Sequence, residues 1–310
     1  MQKTRSQRIM YNFTSNRDTL KMNHYAKMCF LAILIALSTK EVTAEMITVN
    51  RMNDVKITVE QLLQQYQGKE ILTAFDIDMT LTQPNNPATF YPALIKHYAI
   101  YKKIMGSLTP EQKDLTATLT VFLPVRLVEA DTPQIVSAIQ DRGVKTIAFT
   151  AMLTGKLKDK NQTHNKIEAL RYNALNSLGI NFANNFTEKE IYFNDLPSHN
   201  NSYPAFYNGI LFTNGEQGKN GKGSVLIKFI QRTSMSLKAI VLIDDKKKNL
   251  EDVEQFLKNH HPAIKFIGIE YQGALGYASK NISAEKFQSF WEDIANTAKS
   301  STLATIQVNK

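Results

Sequence analysis

The sequence predicts an α/β fold: a doubly wound, mostly parallel sheet with helices on both faces and a small helical cap inserted into it. Three observations predict this. The short apolar runs Ile71–Phe75, Val144–Phe149, Ala239–Ile243 and Ile264–Ile269 have the length and composition of buried strands. Segments of helical periodicity alternate with them, as parallel strands require, because each crossover must return the chain to the same end of the sheet. Three of the four runs end in polar residues: Asp76, Thr150, and Asp244 with Asp245. A parallel sheet gathers its site at that carboxyl edge.

The elements follow in order. Val55–Tyr66 reads as a short helix capped at Thr58, with Leu62, Leu63 and Tyr66 on its apolar face. After the first strand, Gln83-Pro84-Asn85-Asn86-Pro87 signals a loop. Tyr91–Met105 and Thr109–Phe122 predict two helices, the second opened by Thr109, Pro110 and a Gln112 placed for a capping box. Both fall in an insertion of about residues 83–125, between the first acidic strand end and the next strand, and so predict a cap over a site. Thr132-Pro133 opens a helix over Pro133–Arg142, which Gly143 ends. Residues 155–165 read as a polar loop. Ile167, Leu170, Ala174, Leu175 and Leu178 mark a helix that Gly179 stops. The Asn-, Gly- and Ser-rich segment 181–221 is a second insertion, with a strand at Phe206–Phe212 as part of a hairpin. Gly221-Lys222-Gly223 leads into a helix over Ser224–Gln231. Leu250, Val253, Phe256 and Leu257 define another helix, and Phe287, Phe290, Trp291 and Ile294 the last. Residues 301–310 are expected to form a flexible tail.

The N-terminal 44 residues stand apart. Met28–Leu37 is an uninterrupted apolar run preceded by Lys21 and Lys27 and followed by Val42-Thr43-Ala44. This is the layout of a secretory signal peptide cleaved after about Ala44, with Met22 as an alternative start. The run is shorter than the roughly 20 residues of a membrane span; an uncleaved interfacial anchor is the alternative. Export to the periplasm or the exterior is the expectation, with no stable membrane insertion after cleavage. Cys29 is the one cysteine and lies within this leader, so the mature chain has no thiol chemistry. The chain's formal charge of +9 falls to a net of about +4 once this basic leader is removed. No basic stripe with interleaved aromatics remains, which argues against a nucleic-acid partner.

The chemistry sits in Asp76-Ile77-Asp78-Met79-Thr80 and Asp244-Asp245. Four carboxylates converging on one sheet edge repel one another unless a cation intervenes, and an all-oxygen ligand set selects Mg²⁺ over zinc. A carboxylate beside such an ion can attack phosphorus, a second acid can serve the leaving group and then the water, and a hydroxyl and a lysine can hold the phosphoryl oxygens.

Asp76-Ile77-Asp78-Met79-Thr80, Thr150 after a strand, a Lys-Gly helix start, and Asp244-Asp245-Lys246-Lys247-Lys248-Asn249 together resemble the haloacid dehalogenase (HAD) phosphohydrolase superfamily. The order and spacing match over about residues 68–272. With its leader, the chain is also similar to exported bacterial acid phosphatases of that superfamily and to a signal-peptide-bearing HAD-like bacterial family of unknown function. The resemblance implies a HAD-like Rossmannoid core and a Mg²⁺-dependent phosphatase acting on a small phosphorylated substrate. It implies that Asp76 is nucleophile and metal ligand, and that Asp78 is general acid/base and gives the metal its backbone carbonyl. Thr150 would bind the phosphoryl group and Lys222 would offset charge, with Lys219 a competitor for that part. Asp245 or Asp244 would complete the metal site, with Asn249 close behind. Some related phosphatases carry an Arg shortly after the Thr; here Ala151-Met152 follow it, so substrate does not transfer by analogy. Two other readings compete: a catalytically idle HAD fold that binds a ligand or partner, and a secreted effector phosphatase acting on a host molecule. Lys246–Lys248 and His260-His261 read as solvated surface, and His164 as a loop residue.

Overall fold

The computed structural model describes residues 44–120, 123–158, 164–215, 220–276 and 282–304. Residues 1–43, with the predicted leader and Cys29, and Phe122, Lys219 and residues 305–310 therefore lie outside the described residues. Chain order gives strand β1 (Glu45–Val49), helix α1 (Met52–Leu63), β2 (Ile71–Phe75), the insertion helices α2 (Tyr91–Lys96), α3 (Tyr98–Gly106) and α4 (Pro110–Leu119), then α5 (Thr132–Gln140), β3 (Lys145–Thr150) and α6 (Ile167–Ser177). The second half adds β4 (Glu190–Tyr192), β5 (Ala205–Tyr207), β6 (Ile210–Phe212), α7 (Lys222–Thr233), β7 (Ala239–Asp244), α8 (Lys247–His260), β8 (Lys265–Tyr271) and α9 (Ala284–Lys299).

The architecture is α/β around one mostly parallel sheet. Its strand order is β1-β8-β7-β2-β3-β6-β5-β4. Every pair from β1 through β6 is parallel; β6/β5 and β5/β4 are antiparallel. Side chains alternate between the two faces. Ile71 and Phe75 of β2 join the core under α1, α5 and α6, while Leu72 and Ala74 join the core under α7 and α8. All five residues of β2 are buried, as a strand covered on both faces must be.

Several boundaries differ from expectation, each for a local reason. The first helix spans Met52–Leu63 rather than Val55–Tyr66, and Thr58 lies inside it, its hydroxyl donating back to Asp54 O at 3.0 Å instead of capping. The carboxylate of Glu129, from elsewhere in the chain, accepts the Met52 N–H at 2.6 Å, a long-range cap invisible to local pattern. The predicted helix Tyr91–Met105 breaks at His97, whose backbone (φ −109°, ψ 24°) is not helical. The capping box on α4 forms, with Gln112 N donating to Thr109 Oγ1 and Thr109 N donating to Gln112 Oε1. The predicted single strand Phe206–Phe212 is two strands turned at Asn208-Gly209, both at positive φ (44° and 86°), the conformation of a tight hairpin turn.

Residues 155–165 are not simply loop: Lys156–Lys158 pairs antiparallel with His164–Lys166, so His164 begins a short strand. Thr302–Ala304 pairs with Lys156–Lys158 as well, so the expected flexible tail is in part a strand. Edge strand β1 has no counterpart among the predicted strands; Met46-Ile47-Thr48-Val49 pairs with β8 along its length. The helix predicted from Ser224 begins at Lys222. No helix of the described residues is long and apolar enough to cross a membrane.

The insertion joins the core through a paired stem, Thr82–Pro84 against Val125–Leu127. Its helices pack on α9 through Ala93, Ile104 and Leu108 against Phe287, Trp291 and Ala295. Trp291 Nε1 donates to Ala88 O at 3.0 Å, which fixes the ring within that contact.

Candidate functional site

Three neighbouring strands at the middle of the sheet, β7, β2 and β3, end together, and they bring Asp244, Asp76 and Thr150 to one edge. Asp76 follows β2 in register, its N–H donating to Ile243 O at 2.8 Å. Alternation puts Asp76 on the face of Leu72 and Ala74, and Asp244 on the face of Ile240 and Leu242. That is the face covered by α7, and Lys222 opens α7. The three charges therefore meet. Lys222 Nζ donates to Asp76 Oδ1 at 2.6 Å, to Asp244 Oδ2 at 2.5 Å and to Phe149 O at 2.7 Å.

Asp244 is fully buried, and its remaining capacity is also occupied. Asn249 Nδ2 donates to both its oxygens (2.9 and 3.0 Å) and Lys246 N donates to Oδ1 at 2.9 Å. Asp245 instead faces a cavity, together with Asp76, Asp78 and Asn249. Oxygens of Asp76, Asp244 and Asp245 lie within 4.8 Å of one another, a group of the size and chemistry that holds a cation; the Asp78 side chain is not part of it.

The electrostatics follow from this crowding. Burial, and then the charges of Asp244, Asp245 and Asp78, push the Asp76 carboxyl well above the usual carboxylate range, while Lys222 pulls it back. Burial and the neighbouring Asp244 push Asp245 up to about 6. For Lys222, burial alone would drag the ammonium down, but Asp244 and Asp76 outweigh it and hold it above an ordinary lysine. Excess negative charge thus remains on the cavity side, where a divalent cation would relieve it.

The loop after β2 is tight. Ile77 O accepts from the N–H groups of Leu81 (3.0 Å) and Thr82 (2.9 Å), and Met79 sits at φ 65°, a left-handed conformation costly for a side-chain-bearing residue. This turn aims Asp78 into the cavity two residues after Asp76. Thr150 is buried, lines the cavity and accepts from Met152 N through Oγ1 at 3.2 Å. Thr80 is also buried, and among the described residues its Oγ1 has no partner. The cavity measures about 520 Å³ and is roofed by the insertion, with Leu94, Met105 and Asp114 on that side.

The family model that matches this chain spans residues 48–304 and is described as a protein of unknown function, DUF2608. The chain belongs to the DUF2608 family. Its curated relatives include an uncharacterized protein of Rickettsia bellii, 27% identical over 255 residues, covering 78% of this chain and 82% of the relative. Another, from Rickettsia felis, is 26% identical over 279 residues and covers 86% and 88%. The protein RP295 of Rickettsia prowazekii is 26% identical over 291 residues and covers 91% of each chain. The match includes every residue of the candidate site in this DUF2608 chain.

Besides Asp114 of α4, three residues at or beside the cavity were not singled out from sequence. Arg171, 1% exposed, donates through one terminal nitrogen to both Asp78 oxygens (2.9 and 2.8 Å). A signal for it existed: with Ile167 and Leu175 it stands at i, i+4 and i+8, a charge on the apolar stripe of α6. Tyr91 of the insertion donates its hydroxyl to Asp245 Oδ2, and burial first, then the charge of Asp245, raises the pKa of its phenol. His199, from the second insertion, lies 2.6 Å from Asp114 of α4 through Nε2. Neither Tyr91 nor His199 carried a local signal, because each meets its partner only through tertiary folding.

Proposed function

We propose that this protein is an exported, Mg²⁺-dependent phosphomonoesterase of HAD type that works through an aspartyl-phosphate on Asp76. The observation that carries the reading is the placement of Asp76. It stands at the end of a central strand, faces the cavity, is braced from below by Lys222, and lies within ligand distance of Asp244 and Asp245. A buried carboxylate so placed is costly for stability and useful only if a cation or phosphoryl group meets it.

Mg²⁺ fits the all-oxygen donor set of Asp76 and Asp245, with Asp244 behind, and when bound would neutralise a phosphoryl oxygen. The chain's own residues then divide the work. An Asp76 oxygen attacks phosphorus as the bond to the leaving oxygen breaks, and Asp78 supplies the proton that oxygen takes up. Asp78 next removes a proton from the water that attacks the acyl phosphate, which frees inorganic phosphate and restores Asp76. Arg171 fixes the direction of the Asp78 carboxylate as it takes the proton from water. Lys222 works against burial and favours the ionised form of Asp76. Thr150 Oγ1, at the adjacent strand end, donates to a phosphoryl oxygen. Asn249 holds Asp244, and so holds Lys222 in turn.

The test is hydrolysis of 4-nitrophenyl phosphate by the purified protein with and without Mg²⁺, beside Asp76→Asn. Turnover that requires the metal and disappears in the variant is expected. A folded protein that turns over neither this ester nor any of a phosphomonoester panel overturns the reading in favour of a binding role. Export has its own test: β-lactamase fused after Ala44 should confer ampicillin resistance, and its failure to do so removes the leader from the proposal.

A further inference from the structure

On the insertion's side of the cavity stands one more carboxylate. Asp114 of α4 is 7% exposed and lines the same cavity as Asp76. Its Oδ2 lies 2.6 Å from His199 Nε2, and Asn200 Nδ2 is 3.2 Å from that same nitrogen. Among the described residues nothing donates to Asp114 Oδ1. Leu94, Tyr101, Met105 and Trp291 line the same cavity, as do Thr89, Thr116, Thr118 and Thr120, whose hydroxyls donate to backbone carbonyls. Lys113, the neighbouring cation, also lines the cavity but is exposed. Water and salt screen a charge in that position, whereas a buried carboxylate keeps most of its field.

A carboxylate with one committed and one uncommitted oxygen, set among rings and aliphatic side chains, has a definite complement. It takes a hydrogen-bond donor that carries positive charge on an apolar body. An anionic group in the same place would meet Asp114 directly and lose its own hydration without gaining a partner. We propose that this half of the cavity is a subsite for a protonated amine on an aromatic or aliphatic body. The substrate would then be the phosphomonoester of an amine-bearing alcohol or phenol, and not a nucleotide or a second-anion phosphate. The subsite stands on the cavity and Asp114; its coupling to phosphoester cleavage rests on the proposed function.

The chain has one tryptophan, Trp291, and it lines this cavity, so its fluorescence reports occupancy without any turnover. The experiment titrates the full protein with two probes of equal shape and opposite charge, phenethylammonium and 3-phenylpropionate. The expected result is saturable binding of the ammonium, about tenfold or more tighter than the carboxylate, the worth of one charge-assisted hydrogen bond. Asp114→Asn should bring the two probes within about twofold of each other. His199→Gln keeps the Asp114 charge and should keep the preference, which guards against reading a misfolded Asp114 variant as support. No response to either probe, equal affinities in the native protein, or a preference that survives in Asp114→Asn overturns the subsite.

A kinetic arm separates this proposal from the one it builds on. Tyramine phosphate is compared with its carboxyethyl analogue, with 4-nitrophenyl phosphate as the neutral reference. Hydrolysis of the neutral ester without preference between the charged pair removes the subsite and leaves the phosphatase standing. Ammonium-selective binding with no hydrolysis of any ester removes the phosphatase and leaves the subsite.

Discussion

The floor and the roof of the cavity are built by different physics. The floor is set by backbone register: three adjacent parallel strands end together, and Lys222 bridges the buried carboxylates at two of those ends. The roof is set by side-chain packing: three short helices lean on Phe287 and Trp291 of α9, with a few polar ties, Trp291 to Ala88, Tyr91 to Asp245 and Asp114 to His199. A floor of that kind tolerates little change, because Lys222 is the cation shared by two buried carboxylates. A roof of that kind can vary in shape as long as the apolar seam is kept. The comparison predicts that floor substitutions damage chemistry and global stability together, while roof substitutions act on local stability and ligand choice.

The most severe test of the contrast is Asp76→Asn, which should cost at least about 10³-fold in turnover of 4-nitrophenyl phosphate while the protein stays folded by circular dichroism. Lys222→Met should lower stability by about 3–5 kcal/mol in urea unfolding, because it strands Asp76 and Asp244 as buried unpaired carboxylates. Retention of native stability in that variant would mean the floor is not the tightly coupled unit described above. Trp291→Ala should cost about 3 kcal/mol, yet proteolysis should cut within residues 85–124 before the sheet, leaving a protected core. If the core is lost at the same rate, roof and floor are one cooperative unit.

Acidity gives a smaller effect with a definite sign. Burial and then Asp244 raise Asp245 from 3.8 to about 6 on folding. A carboxyl raised in the folded state contributes stability that is fully present below about pH 4 and is lost as pH rises through about 6, on the order of 3 kcal/mol in all. Asp76 is displaced in the same direction, by burial first. The melting temperature of the metal-free protein should therefore fall across that window. Mg²⁺ should restore it at neutral pH, and Asp245→Asn should flatten the slope. His199→Gln is expected to be the mildest change, under about 1 kcal/mol, since one partner of the pair is in contact with solvent.

The same division explains how much was readable in the sequence. The floor was legible because strands announce themselves by apolar runs, and the residue after each run falls on the sheet edge. Asp76, Thr150, Asp244 and Asp245 were located by that rule alone. Lys222 was legible only through the resemblance, with Lys219 as a competitor, because the pattern placed the helix start at Ser224 and not at Lys222. What stayed hidden was contact across the chain. Arg171 looked like an ordinary helical arginine, although its place between Ile167 and Leu175 marked it as buried. Tyr91, Asp114 and His199 belong to insertions whose docking is decided by Phe287 and Trp291, far away in sequence. Glu129 caps α1 from 77 positions on, so no local pattern placed that helix's start. Edge strand β1 is only half-buried, and a short strand with one exposed side resembles a linker.

The paired stem of the insertion bears on how such a chain diversifies. Thr82–Pro84 and Val125–Leu127 stand as hydrogen-bonded neighbours, so the insertion leaves and re-enters the core at one point, with its ends roughly 5 Å apart. A two-residue hairpin turn spans that gap as well as the roughly forty residues between Pro84 and Val125 do, and the entropy of closing a longer loop grows only with the logarithm of its length. The insertion is thus a module on a fixed socket. Exchanging it for another segment with the same two stem strands and a matching apolar seam for α9 would change what the cavity admits, and would reach the acidic edge only through the one bond that Tyr91 makes to Asp245. A replacement that keeps a hydroxyl at that point would let ligand range drift while the strand ends stay as they are.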